Sequence, residues 1–385
     1  MQLLPIGPDS RTTIAGRMKQ LRQTCPFTLI IVICFTILSG CSSLSYYHQA
    51  AKGHLSLIMA TEPIEDWLAA ADTPAPLKAK LRLSQEARRF ARDRLSLPVG
   101  DAFSQYTELD RPWVLVNLVA VPEFSLTPHQ WCYPFIGCQA YRGYYNLDDA
   151  RDEARQFADY GYDTFIGGVT AYSTMGWFDD PLHTGFTRLP DARMVALMFH
   201  ELAHQVVYIA EDTAFNESFA TAVELEGLRL WLQDQGDTTG FEEALQDLRQ
   251  RKQTLELVEQ AADELRQLFD QRDNPEGTLE RTQTEGRMRQ QKADIYLRLK
   301  QDYLALAEQW ERPGPLGSEP DTLNNANLAL FRQYNHYVPA FRQLFRESDQ
   351  QFDDFYDAVR TLSELNREQR QLRLTTLGQE FHEHL

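Results

Sequence analysis

Five consecutive residues, His200, Glu201, Leu202, Ala203 and His204, constrain this chain of 385 residues more than any other stretch. On a helix, residues four apart stand one turn above each other on the same face, so His200 and His204 can present two imidazole nitrogens to one ion. Glu201 then flanks that ion. Zinc with three protein ligands and one open position acidifies a water to a pKa of about 7, and a neighbouring carboxylate can take its proton. Met194, Val195, Leu197, Met198, Leu202, Val206 and Val207 surround the pattern as in a buried helix, where two imidazoles and a carboxylate are costly without partners. A metal ion supplies the partner.

After His204 the chain runs Gln205, Val206, Val207, Tyr208, Ile209 and Ala210, with no Gly and no further His. This excludes the class whose third ligand is a His six residues on. The third ligand is therefore expected on the next helix. The chain breaks at Glu211, Asp212 and Thr213, and a second helical stretch is predicted over residues 214–232. Glu217, in its first turn, is the expected third ligand. Glu224, seven residues later on the same face, is expected to accept an N–H from a ligand imidazole; its alternative is an ordinary solvated helix Glu.

His-Glu-x-x-His followed by Asn216, Glu217, Ser218, Phe219 and Ala220 resembles the gluzincin peptidases, whose aminopeptidase-N-like members carry a similar Asn-Glu-x-x-Ala helix. Here only residues 205–216 separate His204 from Glu217, a tighter excursion than in those families. A closer resemblance is to the predicted aminopeptidase family of proteobacterial lipoproteins. It runs through residues 140–145 and 167–174, Gly176, Trp177 and Phe178, Asp180, Pro181 and Leu182, and the two helices above, and covers most of the chain after Cys41. The resemblance implies a zinc-dependent peptidase, an aminopeptidase first, with Zn2+ as cofactor, peptides as substrate and Glu201 as general base.

It also implies an oxyanion donor from a downstream helix. Tyr334, His336 and Tyr337 are the candidates, Tyr334 first, because the resemblance is closest around it. An edge strand above the zinc helix would take the substrate main chain as an added strand. Gly167, Gly168, Val169, Ala171 and Tyr172 are the residues expected there, against the alternative of a bulge in a structural strand. Asp179 or Asp180 could hold a substrate amino group, although Asp before Pro is ordinary turn chemistry. An endopeptidase of envelope quality control and a non-enzymatic outer-membrane assembly lipoprotein are the alternatives to an aminopeptidase.

Residues 1–40 read as an export signal. Arg11, Arg17, Lys19 and Arg22 precede an apolar run over 27–38, short for a membrane span and of signal length. Leu38, Ser39, Gly40 and Cys41 resemble a bacterial lipobox, with Cys41 as the lipidated first residue; Ser42 after it fits outer-membrane sorting. The expected location is the periplasmic face of the outer membrane. There Cys132 and Cys138, the two Cys left after Cys25, Cys34 and Cys41, are expected to form a local disulfide. The chain carries 38 Lys and Arg against 55 Asp and Glu, a formal charge of −17, which argues against nucleic acid as a partner.

The fold class expected is α+β, mostly α, a single domain over 41–385 of the gluzincin kind. Residues 45–97 show 3.6-residue periodicity and form an N-terminal helical layer. Residues 113–232 hold a small sheet, with a helix over 147–160, and then the zinc helices. Residues 241–310 trace apolar stripes broken at Asn274 and Pro275, a helical hairpin that either projects toward a protein partner or packs on the body. Residues 321–385 are C-terminal helices.

Overall fold

The computed structural model describes residues 41–133, 137–171, 180–273, 281–310, 314–317, 320 and 323–381. The export signal, Tyr172, Asp179 and the Gly176 to Phe178 segment lie outside the described residues. So do the side chains of Cys41 and Tyr334. The chain divides into two compact units, residues 1–53 and 54–385. Residues 41–53, the described part of the first, are helical.

The elements begin with α1 (Cys41–Met59), β1 (Glu62–Pro63), α2 (Ile64–Ala69), α3 (Ala75–Arg94), β2 (Gln105–Thr107) and β3 (Leu115–Pro122). Then come β4 (Trp131–Tyr133), β5 (Gly137–Gln139), β6 (Arg142–Tyr144), α4 (Leu147–Asp159), β7 (Tyr162–Val169) and β8 (Leu182–His183). Helices complete the chain: α5 (Thr184–Thr187), α6 (Asp191–Ala203), α7 (Thr213–Asp234), α8 (Thr238–Asp273), α9 (Arg281–Ala307), α10 (Asn325–Asn335), α11 (Val338–Glu347), α12 (Phe352–Glu364) and α13 (Arg367–Glu380). The fold is α+β and mostly helical, as the periodicity predicts. No helix among the described residues is long and apolar enough to cross a membrane.

Among the described residues the expected single small sheet is three separate ones, ordered β1-β2-β8, β6-β3-β7 and β4-β5. In the second, β3 is central and antiparallel to both neighbours, with Asn117 opposite Gly143 on one side and Gly167 on the other. The β4-β5 pair is closed by the Cys132–Cys138 disulfide. Gly137 opens β5 at φ +80°, a left-handed value that favours glycine. A Cβ there would stand 3.5 Å from Glu211 Oε1, so the hairpin lies against the loop that follows α6.

A large apolar core joins α3, α6, α7, α11, α12 and α13, with Phe90, Phe199, Phe219, Phe341 and Phe355 in it. Helix α6 is apolar nearly all round and buried over 194–196 and 198–203, which fits a central element. The α8-α9 hairpin packs on the body through Val258, Leu265, Leu299 and Leu328, with Phe124 and Leu126 against them. Lys292 bonds Asp163 at 2.7 Å and Arg332 bonds Glu259 at 2.8 Å. Of the two arrangements the sequence allows, the hairpin packs.

Behind α7 a buried ion pair ties the C-terminal helices down. Arg342 Nε donates to Glu226 Oε1 at 2.8 Å and Arg229 Nε to Oε2 at 2.8 Å. Burial alone would raise the Glu226 carboxyl, but Arg342 and Arg229 outweigh it and hold it below the ordinary carboxylate value. A depressed folded-state pKa gives stability that is present above the unfolded value and lost as pH falls through the folded one. Glu226→Gln is expected to cost roughly 3–5 kcal/mol at pH 7, because it removes the buried carboxylate that both guanidiniums share. Thermal melts should show the gap to wild type narrowing below about pH 4.

Candidate metal centre

Helix α6 delivers His200 and Glu201 from its last turn, and His204 caps it with helical dihedrals, φ −61° and ψ −18°. The chain then turns through residues 205–212 and enters α7. Asn216 fixes this turn, accepting from Ile209 N–H at 2.9 Å and donating to Ile209 C=O at 2.8 Å. Asp212 caps α7 by accepting from Phe215 N–H at 3.3 Å, and is itself held by Arg370 at 2.7 and 3.0 Å. Glu217 is thereby placed opposite the two imidazoles.

His200, His204 and Glu217 each offer one ligand atom, and these atoms lie within 4.8 Å of one another. His200 Nε2 is 3.3 Å from Glu217 Oε2, and His204 Nε2 is 3.8 Å from the same oxygen. Ligand atoms around a tetrahedral zinc stand about 3.3–3.6 Å apart, given bonds near 2.0–2.2 Å; the donor set fits such an ion in type, and the His204 pair stands slightly wider than that spacing. Two imidazoles with one carboxylate, all converging, leave a fourth position for water or substrate.

The surroundings are charged yet buried. Glu224 Oε2 accepts from His200 Nδ1 at 3.1 Å, which leaves Nε2 facing Glu217. Arg193 holds the other Glu224 oxygen at 3.0 Å, and Arg251 from α8 adds a second positive charge nearby. Burial opposes ionisation of Glu224, but the His200 hydrogen bond and the two arginines hold it down at about 2. Burial lowers His200 too, and its hydrogen bonds to Glu217 and Glu224 more than reverse this. His204 is different. Burial pushes it down to about 4, and its Nδ1 has no partner among the described residues.

Glu201 is 7% exposed, and burial, with Glu217, Asp180 and Glu224 as negative neighbours, pushes it up to about 8 against the pull of His200. It takes up a proton more readily than a solvated carboxylate. Asp180, 6% exposed, is an electrostatic neighbour of Glu201. Two tyrosines are electrostatic neighbours of these carboxylates, one just ahead of a strand and one on the turn after α6. Tyr141, just ahead of β6, has Glu217, Tyr208 and Glu201 as its electrostatic neighbours, and burial raises it above the ordinary phenol value. Tyr208 accepts from Gln139 Nε2 at 3.4 Å.

Two of the downstream candidates point elsewhere. His336 is exposed and has Glu259 and Arg332 as its charged neighbours, while Tyr337 has Asp212, Arg367 and Arg370. On β7, an outer strand, a Cβ on Gly167 would meet Phe165 at 2.9 Å and one on Gly168 would meet Trp113 at 3.2 Å. These glycines make room for aromatic side chains of the protein itself. Val169 is half-buried opposite Leu115, and Ala171 is buried in the large core. Sequence alone assigned no role to Arg193, Arg251, Asn216, Tyr141 or Tyr208, although Asn216 stands beside Glu217 and Tyr141 lies in the 140–145 stretch of the resemblance.

The fold and site define a helical α+β chain with a buried two-histidine, one-glutamate donor set on adjacent helices. Over residues 45–374 the chain matches the family model described as "Putative aminopeptidase", and it belongs to that family. Neither a curated protein nor a solved structure matches it. Peptides are the substrate class that this membership implies.

Glu224→Ala should weaken zinc binding by about 10–100-fold, as expected for loss of the carboxylate that orients a ligand imidazole. Metal retained against a graded chelator series checks this, and Arg251→Ala should shift the same curve in the same direction by less.

Proposed function

We propose that this chain is a zinc-dependent aminopeptidase of the bacterial cell envelope, anchored through a lipid on Cys41 at the periplasmic face of the outer membrane. The observation that carries the reading is the convergence of His200, His204 and Glu217 beside a buried Glu201. Bound by those three residues, a zinc ion supplies Lewis acidity to the scissile carbonyl and to a water molecule.

The chain's own residues do the rest. Glu201 accepts the proton from the attacking water and returns it to the leaving amine, a role suited to a carboxyl raised by burial. Glu224 holds His200 by Nδ1–H so that Nε2 stays directed at the ion. Tyr141 stays protonated, because burial and its acidic neighbours oppose ionisation, and its O–H donates to the developing oxyanion. Tyr334 on α10, whose side chain lies outside the described residues, is the candidate from the sequence for the same role. Asp180 lies close enough to Glu201 to influence it, and its carboxylate suits a substrate's free α-ammonium.

Glu201→Gln should abolish turnover while zinc content stays at wild-type stoichiometry; wild-type turnover in that variant would remove Glu201 from the role. Tyr141→Phe should lower kcat by about 10²–10³ with KM little changed, as loss of one oxyanion donor does elsewhere. Cleavage of a free-amine peptide but not its N-acetylated form would establish the aminopeptidase. Equal cleavage of both would make it an endopeptidase.

A further inference from the structure

The turn that carries the chain from His204 to Glu217 lies partly on the surface. Ala210 and Glu211 are exposed, and Glu211 stands at φ +66°, a left-handed value that a non-glycine residue keeps only where its surroundings fix it. Asn216 holds the middle of the turn through Ile209. On either side of Ile209 the turn meets the β4-β5 hairpin. Gln139 Nε2 donates to the Tyr208 hydroxyl at 3.4 Å, and a Cβ on Gly137 would stand 3.5 Å from Glu211 Oε1 and 3.9 Å from Ala210 Cβ.

Gly137 and Gln139 flank Cys138, so the disulfide sits between the two residues that touch the turn. The strands pair Trp131 with Gln139, Cys132 with Cys138 and Tyr133 with Gly137. The Trp131 end of this ladder is anchored. Trp131 is buried, its indole N–H donates to Glu153 of α4 at 3.1 Å, and its ring meets His129 and Phe157 edge-on. A two-stranded ribbon this short is marginal in water by itself, so the covalent link carries the anchoring from Trp131 out to Gly137.

We propose that the disulfide hairpin is a positioning brace for the metal centre: with Cys132 and Cys138 joined, Gly137 and Gln139 hold the turn over residues 208–211, and Glu217 enters α7 aimed at the two imidazoles. Full affinity for zinc then requires the oxidised chain. In that oxidation the two thiols pass two electrons and two protons, by thiol–disulfide exchange, to a partner disulfide that leaves as two thiols. Before export the reduced chain binds the ion less tightly, and the peptidase gains its metal where the disulfide forms. This rests on the zinc and envelope readings above.

The test uses the full chain, oxidised and zinc-free. It is titrated with Zn2+ against a chromophoric chelator, and with Co2+ for the visible absorption of a four-coordinate site. A phosphine then reduces it, taking the oxygen of one water as the disulfide becomes two thiols. Reduction should raise the zinc Kd about tenfold, the low end of the cost of losing a contact behind a metal ligand, and weaken the Co2+ band; reoxidation should restore both. Cys132→Ser with Cys138→Ser should show the raised Kd without thiols that could themselves bind the ion. Where that chain does not fold, Gln139→Leu with the disulfide intact decides, a Kd raised about threefold being expected. A double-serine chain whose melting temperature falls while its zinc Kd and Co2+ band stay at wild-type values makes the disulfide a staple of the fold only and overturns the brace, as does an unchanged Kd in Gln139→Leu where that variant decides. Either result leaves the metal centre standing. An oxidised wild-type chain that takes up no stoichiometric zinc overturns both.

Discussion

The hydrogen bond between His200 and Glu224 is the contact on which the centre's electrostatics depend. Two imidazoles and three carboxylates buried between α6 and α7 would each be costly alone. Glu224 meets part of that cost for His200, and Arg193 and Arg251 meet it for Glu224. Since Arg251 belongs to the α8-α9 hairpin, the hairpin is coupled to the ligand set through charge as well as through its apolar face on the body. An arm that could be removed without consequence for the site is not what this packing describes.

Geometry depends on a second group of contacts, at the start of α7. Asn216 closes the turn onto Ile209, Arg370 from α13 grips the capping Asp212, and Ser218 Oγ accepts from Tyr337 N–H at 3.1 Å. Glu217 sits among these three, so its direction is set by main-chain and buried polar contacts rather than by its own flexible stem. A ligand fixed in this way loses little freedom when it meets an ion. The Asn of the Asn-Glu-x-x-Ala pattern is thus a positioning residue.

The sheet supplies what the helices lack. Tyr141, just ahead of β6, is an electrostatic neighbour of Glu217 and Glu201, and the disulfide-closed β4-β5 pair lies on the turn after α6.

Much of this was legible in the sequence because it rests on short-range periodicity. His200 and His204 four apart, the apolar run around them, the helix over 214–232 found at Thr213–Asp234, and the pairing of Cys132 with Cys138 are all local patterns. The 3.6-residue stripes of 45–97 and 241–310 likewise gave helices near those bounds. Composition and these periods determined a mostly helical chain with a metal-type helix pair. They could not determine which strand flanks which, since β6, β3 and β7 meet only through pairings between distant segments, and it is that register which places Gly143, Asn117 and Gly167 in one row. Nor could they bring Arg251 to Glu224 or Tyr141 to Glu217. Those contacts join residues tens of positions apart, whose meeting is decided by how whole elements bury their apolar faces, so only the tertiary structure decides them.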